Sequence, residues 1–70
     1  MIAAYEQIGR IKLIWGVARG RREARKIAAT IASEYHEEHI SSRYFLVCEA
    51  TPKMIKAFET EHIMIHDDED

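Results

Sequence analysis

The stretch from Arg10 to Glu38 constrains the fold more than any other part of the sequence. It begins with period-two alternation, which predicts a β-strand with the buried side chains Ile11, Leu13, Trp15 and Val17. Gly9 and Gly16 disfavour a helix here, because a glycine in a helix interior costs about 1 kcal/mol, and a turn bracketed by Gly16 and Gly20 follows. The stretch therefore predicts a buried strand, a glycine-bracketed turn and then a helix.

Apolar residues recur at helical spacing after Gly20 and predict one amphipathic helix of about five turns. The apolar side of this helix is formed by Ala24, Ile27, Ala28, Ile31 and Tyr35, with Ala32 beside them. Because this stripe is narrow and rich in alanine, we expect the helix to pack closely on a sheet.

The second half of the chain predicts a strand, a short helix and another strand. Residues 43–50 are apolar on both faces, with Tyr44, Leu46 and Cys48 on one and Phe45 and Val47 on the other, which favours a central strand. A helix start follows, with Thr51 as N-cap, Pro52 in the first position and an apolar stripe at Met54, Ile55 and Phe58. The alternation over residues 62–66 predicts a third short strand.

The N-terminal segment, residues 1–7, fits either a first helical turn or a short edge strand, and we favour the strand. The chain then predicts a small α/β domain over residues 1–66, followed by a disordered acidic tail over residues 67–70. Its single-layer sheet has three strands, or four with the N-terminal segment, in the order β-α-β-α-β, and the long helix packs on one face.

Two arrangements of these elements remain open. A strand–helix–strand crossover of this length is normally parallel and right-handed. In the alternative, one helix packs on a mostly antiparallel sheet. The N-terminal segment then forms a hairpin with the first strand, and residues 54–58 are only a turn of helix.

The length of 70 residues allows one domain with a thin stability margin. The single cysteine rules out an internal disulfide and favours a reducing, cytoplasmic setting. We see neither a signal peptide nor an apolar run of the ~20 residues that span a membrane, so we expect no membrane partner. A homodimer is a reasonable source of additional core for so small a chain.

Charge is unevenly distributed along the sequence. Residues 1–33 hold seven basic residues against two acidic ones, a net charge of +5, whereas residues 34–70 have a net charge of −7. Several cations crowd the predicted helix start, where they oppose the helix dipole by about 0.3–1 kcal/mol each. This cluster is the candidate partner- or anion-binding site and consists of Arg19, Arg21, Arg22, Arg25 and Lys26. The alternative is a solvated helix face whose arginines meet Glu6 or the acidic tail.

The remaining candidate groups favour structural roles. His36 and His39, with His62 and His66, have spacings that resemble a zinc site, but a structural site of four histidines is unusual, so we expect no metal. Cys48 lies in an apolar strand and is expected to be a core thiol. Trp15 and Phe58 are expected in the core rather than in a base-stacking surface. We expect no cofactor and no enzymatic activity.

These features favour a small non-enzymatic protein-interaction module that docks on a larger partner, and a protein is the favoured class of partner. Its size and segregated charge are typical of phage or mobile-element proteins that inhibit or regulate a host macromolecule, which is an analogy of fold and size and not a motif match. The alternative is a nucleic-acid or phosphate-binding protein that uses the basic start of the long helix.

Overall fold

The computed structural model describes residues 1–60 and 64–66. Within these ranges the chain forms four strands, two helices and one 3₁₀ helix. In chain order they are β1 (Ile2–Ile8), β2 (Ile11–Ala18), α1 (Arg21–His36), the 3₁₀ helix (Ser42–Tyr44), β3 (Leu46–Glu49), α2 (Pro52–Thr60) and β4 (Met64–His66). The predicted small α/β fold is confirmed, with one long helix on an open sheet and a strand formed by the N-terminal segment.

The four strands form one antiparallel sheet in the order β3-β1-β2-β4. β1 and β2 are a hairpin whose two-residue loop begins at Gly9, with a φ of +60°. A positive φ at the first loop residue alone is the pattern of a type II′ turn, which matches the twist of the flanking strands. The N-terminal segment, for which an edge strand was favoured, is therefore the sheet's central partner for both β2 and β3.

Of the two arrangements left open, the structure has the antiparallel sheet and the N-terminal hairpin of the alternative. The two strands that the long helix joins run parallel but are not neighbours. β1 lies between β2 and β3 and is antiparallel to both. The prediction that the strand over residues 43–50 is central was therefore wrong, because β3 is an edge strand. Its apolar residues on both faces reflect coverage by a helix on each face, not a strand on each side.

Two separate clusters show that the helices cover opposite faces of the sheet. The α1-side core consists of Ala4, Trp15, Ala18, Ala24, Ala28, Ala32 and Phe45. The α2-side core consists of Ala3, Ile14 and Met54, with Phe58 packed against it. Consecutive residues of a strand point to opposite faces, as Ala3 and Ala4 do here. The predicted alanine stripe of α1 is confirmed, and so is the core position of Trp15, which is 1 % exposed.

A β-bulge in β2 changes which side chains share a face. Ala4 pairs with Gly16 and Tyr5 pairs with Ile14, so Trp15 has no partner in β1. Trp15 and Gly16 both turn toward α1, and Val17 packs against the α2-side core. The prediction that Val17 shares a face with Trp15 was therefore wrong, since the extra residue reverses the alternation.

The start of α2 follows the sequence closely. The backbone N–H of Met54 donates to Thr51 Oγ1 at 3.1 Å, which confirms Thr51 as the N-cap, and Pro52 is the first helical residue. α2 has nine residues, more than the single turn of the antiparallel alternative. Of the predicted third strand, Met64–His66 is observed as β4, while residues 62–63 and the acidic tail lie outside the described residues.

Candidate functional site

A groove of about 530 Å³ lies between the first two turns of α1 and the 3₁₀ helix. We call it the cation groove, and its lining residues are Arg21, Arg22, Arg25, Lys26, Ser42 and Arg43. Five of these six side chains carry a positive charge. The groove therefore concentrates cations on one flank of α1.

The first wall of the groove follows from helix geometry. Arg21 and Arg25, like Arg22 and Lys26, are four residues apart and therefore lie one above the other, about 6 Å along the axis. Gly20 is the N-cap and contributes no side-chain hydrogen bond, so no capping side chain stands in front of the first turn. The positive end of the helix dipole adds to the charge of these side chains.

The second wall is held by serine hydroxyl groups in the connection from α1 to β3. Ser33 Oγ accepts from the backbone N–H of Ile40 at 2.9 Å and donates to the Ile40 carbonyl at 3.4 Å. Ser41 Oγ accepts from the N–H of Arg43 at 3.2 Å and so caps the 3₁₀ helix. Phe45, 2 % exposed in the α1-side core, anchors the end of this connection. Arg43 is thereby fixed beside α1.

The cations of the groove have unused binding capacity. No carboxylate among the described residues lies within ion-pair distance of Arg21, Arg22 or Arg25, or of the other two cations of the groove. The Arg25 Nε atom is buried and has no hydrogen-bond acceptor in the described part of the chain. A buried donor without an acceptor costs about 1–3 kcal/mol, so an anion placed at this atom would be stabilised.

The structure brings together four of the five predicted site residues and adds one that the sequence did not indicate. Arg19 lies in the turn before α1 and does not line the groove. Arg43 lines it although it is far from the others in sequence. The sequence offers only a weak signal for Arg43, namely its place in a serine-rich loop after the helix. Its position in the groove could not be predicted, because the path of this loop depends on tertiary packing.

Glu6, the suggested partner of the arginines, is engaged elsewhere. Its carboxylate accepts from the Trp15 indole Nε1–H at 3.1 Å and from the Tyr44 hydroxyl at 2.6 Å. The hydrogen bond to Glu6 raises the pKa of Tyr44, and partial desolvation and the Glu6 charge act in the same direction. Glu6 therefore stabilises the core tryptophan and the 3₁₀ helix rather than the cation groove.

The C-terminal end of α1 is acidic and aromatic. Glu34, Glu37 and Glu38 are exposed there, and a second groove of about 430 Å³ is lined by Glu6, His36, Glu38, His39, Ile40, Ser41 and Tyr44. The Tyr35 ring packs edge-on against Trp15 with centroids 5.4 Å apart, yet Tyr35 is 65 % exposed. Opposite charges thus gather at the two ends of α1.

Metal-binding and nucleophilic groups do not converge in the part of the chain that the structure describes. There, no group of three or more His, Cys, Asp or Glu side chains could hold a metal ion. His36 packs against Trp15 and Tyr35, whereas His62 lies outside the described residues. Cys48 is a half-buried free thiol whose Sγ contacts Met54 Sδ at 3.9 Å. Neither helix in the described ranges is long and apolar enough to cross a membrane.

The functional conclusion rests on the cation groove, because comparison with known proteins gives no match. No family model, no curated protein and no solved structure matches this chain.

Proposed function

We propose that this chain is a small non-enzymatic docking module that binds the phosphate backbone of a nucleic acid through the cation groove. The observation that carries the proposal is the groove itself. Four arginines and one lysine face one concave surface, and no described carboxylate pairs with them. The buried, unpartnered Nε–H of Arg25 lies among them and would donate to a phosphate oxygen.

The chemistry of the lining favours phosphates. Arginine presents a planar fork that matches phosphate oxygens with two parallel hydrogen bonds, and four of the five cations are arginines. The remaining lining residue in the described part of the chain is Ser42, whose hydroxyl group can also donate to a phosphate. Among the residues that the structure describes, the lining contains no carboxylate, imidazole or thiol for acid–base or nucleophilic chemistry, and its cations favour binding of an anion. Contacts of this kind position a partner without reading its sequence.

A second candidate function is docking on a larger protein, as an inhibitor or regulator of the kind that phages encode. The observation in its favour is the acidic end of α1, where Tyr35 and Tyr44 are 65 % and 56 % exposed. Exposed aromatic residues beside a groove are enriched at protein interfaces. Both candidates are consistent with a cytoplasmic setting, in which the Cys48 thiol stays reduced.

The test of the first function is fluorescence anisotropy with labelled single-stranded and double-stranded DNA of mixed sequence. If each cation of the groove neutralises one phosphate, log affinity for duplex DNA falls against log salt with a slope of about −4.5. The charge-reversing variant Arg21→Glu/Arg22→Glu is expected to lose detectable binding between about 50 mM and 200 mM salt.

A matched control separates the groove from net charge. Lys53→Glu/Lys56→Glu makes the same charge change on α2, on the opposite face of the sheet, and is expected to retain most of the affinity. The groove variant should also be more stable than the wild type by about 1 kcal/mol, because glutamates at a helix start complement its dipole. Equal binding by the groove variant and the wild type contradicts the proposal.

A pull-down distinguishes the two candidates. The tagged chain is incubated with bacterial lysate, with and without nuclease, and eluted in rising salt. Recovery of nucleic acid that is lost with nuclease and at moderate salt supports the groove as a phosphate site. A stoichiometric protein band that survives nuclease, and that the groove variant retains, supports docking on a protein through another surface.

A further inference from the structure

We propose that β3 is the interface of a homodimer in which two copies of the chain join their sheets edge to edge, with Cys48 on the two-fold axis. β3 is the terminal strand of the sheet and pairs only with β1 within the described residues. Such an edge presents a row of backbone groups that another strand can bind.

The backbone N–H and C=O groups of β3 point alternately toward β1 and toward the open side of the sheet. The N–H of Ala50 donates to the Met1 carbonyl at 2.8 Å, so the even-numbered residues of β3 direct their backbone groups toward β1. Val47 and Glu49 therefore direct their N–H and C=O groups outward. In the described part of the chain, no strand or loop bonds to these outward groups.

The α2 face of this edge carries apolar side chains and no charged one. Leu46 is 52 % exposed, and Cys48 and Ala50 lie on the same face of the strand at its α2 side. Lysine, proline and a bulge, which commonly protect native edges, are absent from β3, whereas its length of four residues and the exposed Glu49 limit the area that it can bury. The edge thus combines unpaired backbone groups with a short apolar row.

Symmetry restricts the pairing of β3 with a second β3. A two-fold axis perpendicular to the sheet places the α1 faces of both copies on the same side. In an antiparallel pair, two residues that lie directly opposite each other have side chains on the same face of the sheet. The two-fold axis must therefore place one residue opposite the same residue of the other copy, and cannot lie midway between two consecutive residues. The candidate centres within the strand's apolar middle are Val47 and Cys48.

Hydrogen bonding favours Cys48. With Cys48 at the centre, Val47 of each copy lies opposite Glu49 of the other, and the two outward-facing pairs form four N–H···O=C bonds. With Val47 at the centre, Glu49 would lie opposite Phe45, whose N–H already donates to the Ser42 carbonyl at 3.4 Å. The Cys48 register leaves every existing bond intact.

The Cys48 register also matches the side chains. On the α2 face, Leu46 of each copy meets Ala50 of the other, and the two Cys48 residues face one another as a pair without mutual backbone hydrogen bonds. The two Glu49 carboxylates lie diagonally rather than directly opposite. The Cα atoms of such a central pair are about 4.5 Å apart, which is close enough for a disulfide. A strand pair of this length buries little area, so we expect a weak dimer.

The test is sedimentation equilibrium of the whole chain from about 1 to 200 μM, a range that extends to the concentrations at which a weak dimer forms. We expect the wild type to shift from 8.1 kDa to twice that mass. Leu46→Lys should remain a monomer, because it places a charge in the apolar row. Ile8→Lys is the matched control: Ile8 is also 52 % exposed but lies on β1, away from this edge, and the variant should dimerise.

Oxidation tests the register. Diamide takes up the two electrons and two protons released when two thiols form a disulfide, and the wild type should give a covalent dimer on a denaturing gel. Leu46→Lys should not crosslink under the same conditions. A chain that is monomeric throughout, a dimer that Leu46→Lys leaves unchanged, or a dimer that fails to crosslink through Cys48 overturns the proposal.

Discussion

At the scale of single residues, Glu6 shows how one side chain connects distant parts of the chain. Its carboxylate joins Trp15 on the next strand to Tyr44 in the 3₁₀ helix, which is 38 residues away in sequence. The indole N–H of a nearly fully buried tryptophan needs an acceptor, and the sequence does not indicate which residue supplies it. The same carboxylate then positions the segment that carries Arg43.

The hydrogen bond between Tyr44 and Glu6 makes stability depend on pH at the alkaline end. Because the bond raises the pKa of Tyr44 above 10.0, its contribution to the free energy of unfolding is complete below that pH and is lost as pH rises through the raised pKa. Urea unfolding should show the wild type more stable than Tyr44→Phe at about pH 9. An unchanged difference between the two proteins at about pH 11.5 would argue against this bond.

Gly16 is required by the close approach of α1 to β2. A Cβ atom there would lie 2.5 Å from the Ala24 carbonyl oxygen and 2.7 Å from the Ala28 nitrogen, both of them backbone atoms. Gly16→Ala is therefore expected to lower the free energy of unfolding by about 1–3 kcal/mol, measured by urea denaturation. Gly20→Ser is the control, since a Cβ at Gly20 meets nothing within 4 Å and serine is a preferred N-cap. If Gly16→Ala were as stable as the wild type, α1 would be able to move away from β2 without a loss of stability.

At the scale of elements, α1 ends in a motif that usually contains glycine. The N–H of Glu38 donates to the Ser33 carbonyl and that of Glu37 to the Glu34 carbonyl, the two bonds of a Schellman motif. Glu37 has a φ of +58°, in the left-handed region that costs a residue with a Cβ about 1–2 kcal/mol. The helix therefore ends at a strained glutamate.

Relief of this strain should stabilise the protein. We expect Glu37→Gly to raise the midpoint of urea unfolding, with a gain of about 0.5–1 kcal/mol after the larger backbone entropy of glycine in the unfolded chain is counted. Glu38→Gly makes the same change of residue and charge one position later, where φ is not positive, and should give no such gain. A similar effect from both variants would show that lost negative charge, not backbone strain, is responsible.

At the scale of the whole molecule, the distribution of charge sets long-range behaviour. The residues Asp67, Asp68, Glu69 and Asp70 supply four negative charges to a chain with a net charge of −2. Converting them to the corresponding amides changes the net charge to +2 at constant length. If the cation groove binds nucleic acid, the amide variant should bind DNA more tightly at low salt, chiefly through a faster association rate.

Salt provides the check on this electrostatic effect. The gain in affinity should shrink as ionic strength rises to about 0.15 M and beyond, because the Debye length there is about 8 Å. Stopped-flow association at two salt concentrations measures it. A gain that persists at high salt would instead indicate direct competition between the C-terminal residues and DNA for the groove.

The periodic segments and their local signals were predictable from the sequence. The alanine stripe of α1, the buried Trp15, the Thr51 cap and the cluster at the helix start all depend on residues close together in sequence. Helix periodicity and capping are local physics, so a single sequence is sufficient to predict them. Four of the five lining cations belong to this class.

Tertiary structure decided the sheet order, the bulge and the second wall of the groove. β1 is central because its consecutive alanines, Ala3 and Ala4, let a helix approach each face of the sheet. The composition of β1 by itself indicated only a weak strand. Arg43 joined the groove because Ser33, Ser41 and Phe45 fix the loop path. These outcomes depend on contacts between residues far apart in sequence, whose energies are set by packing in three dimensions.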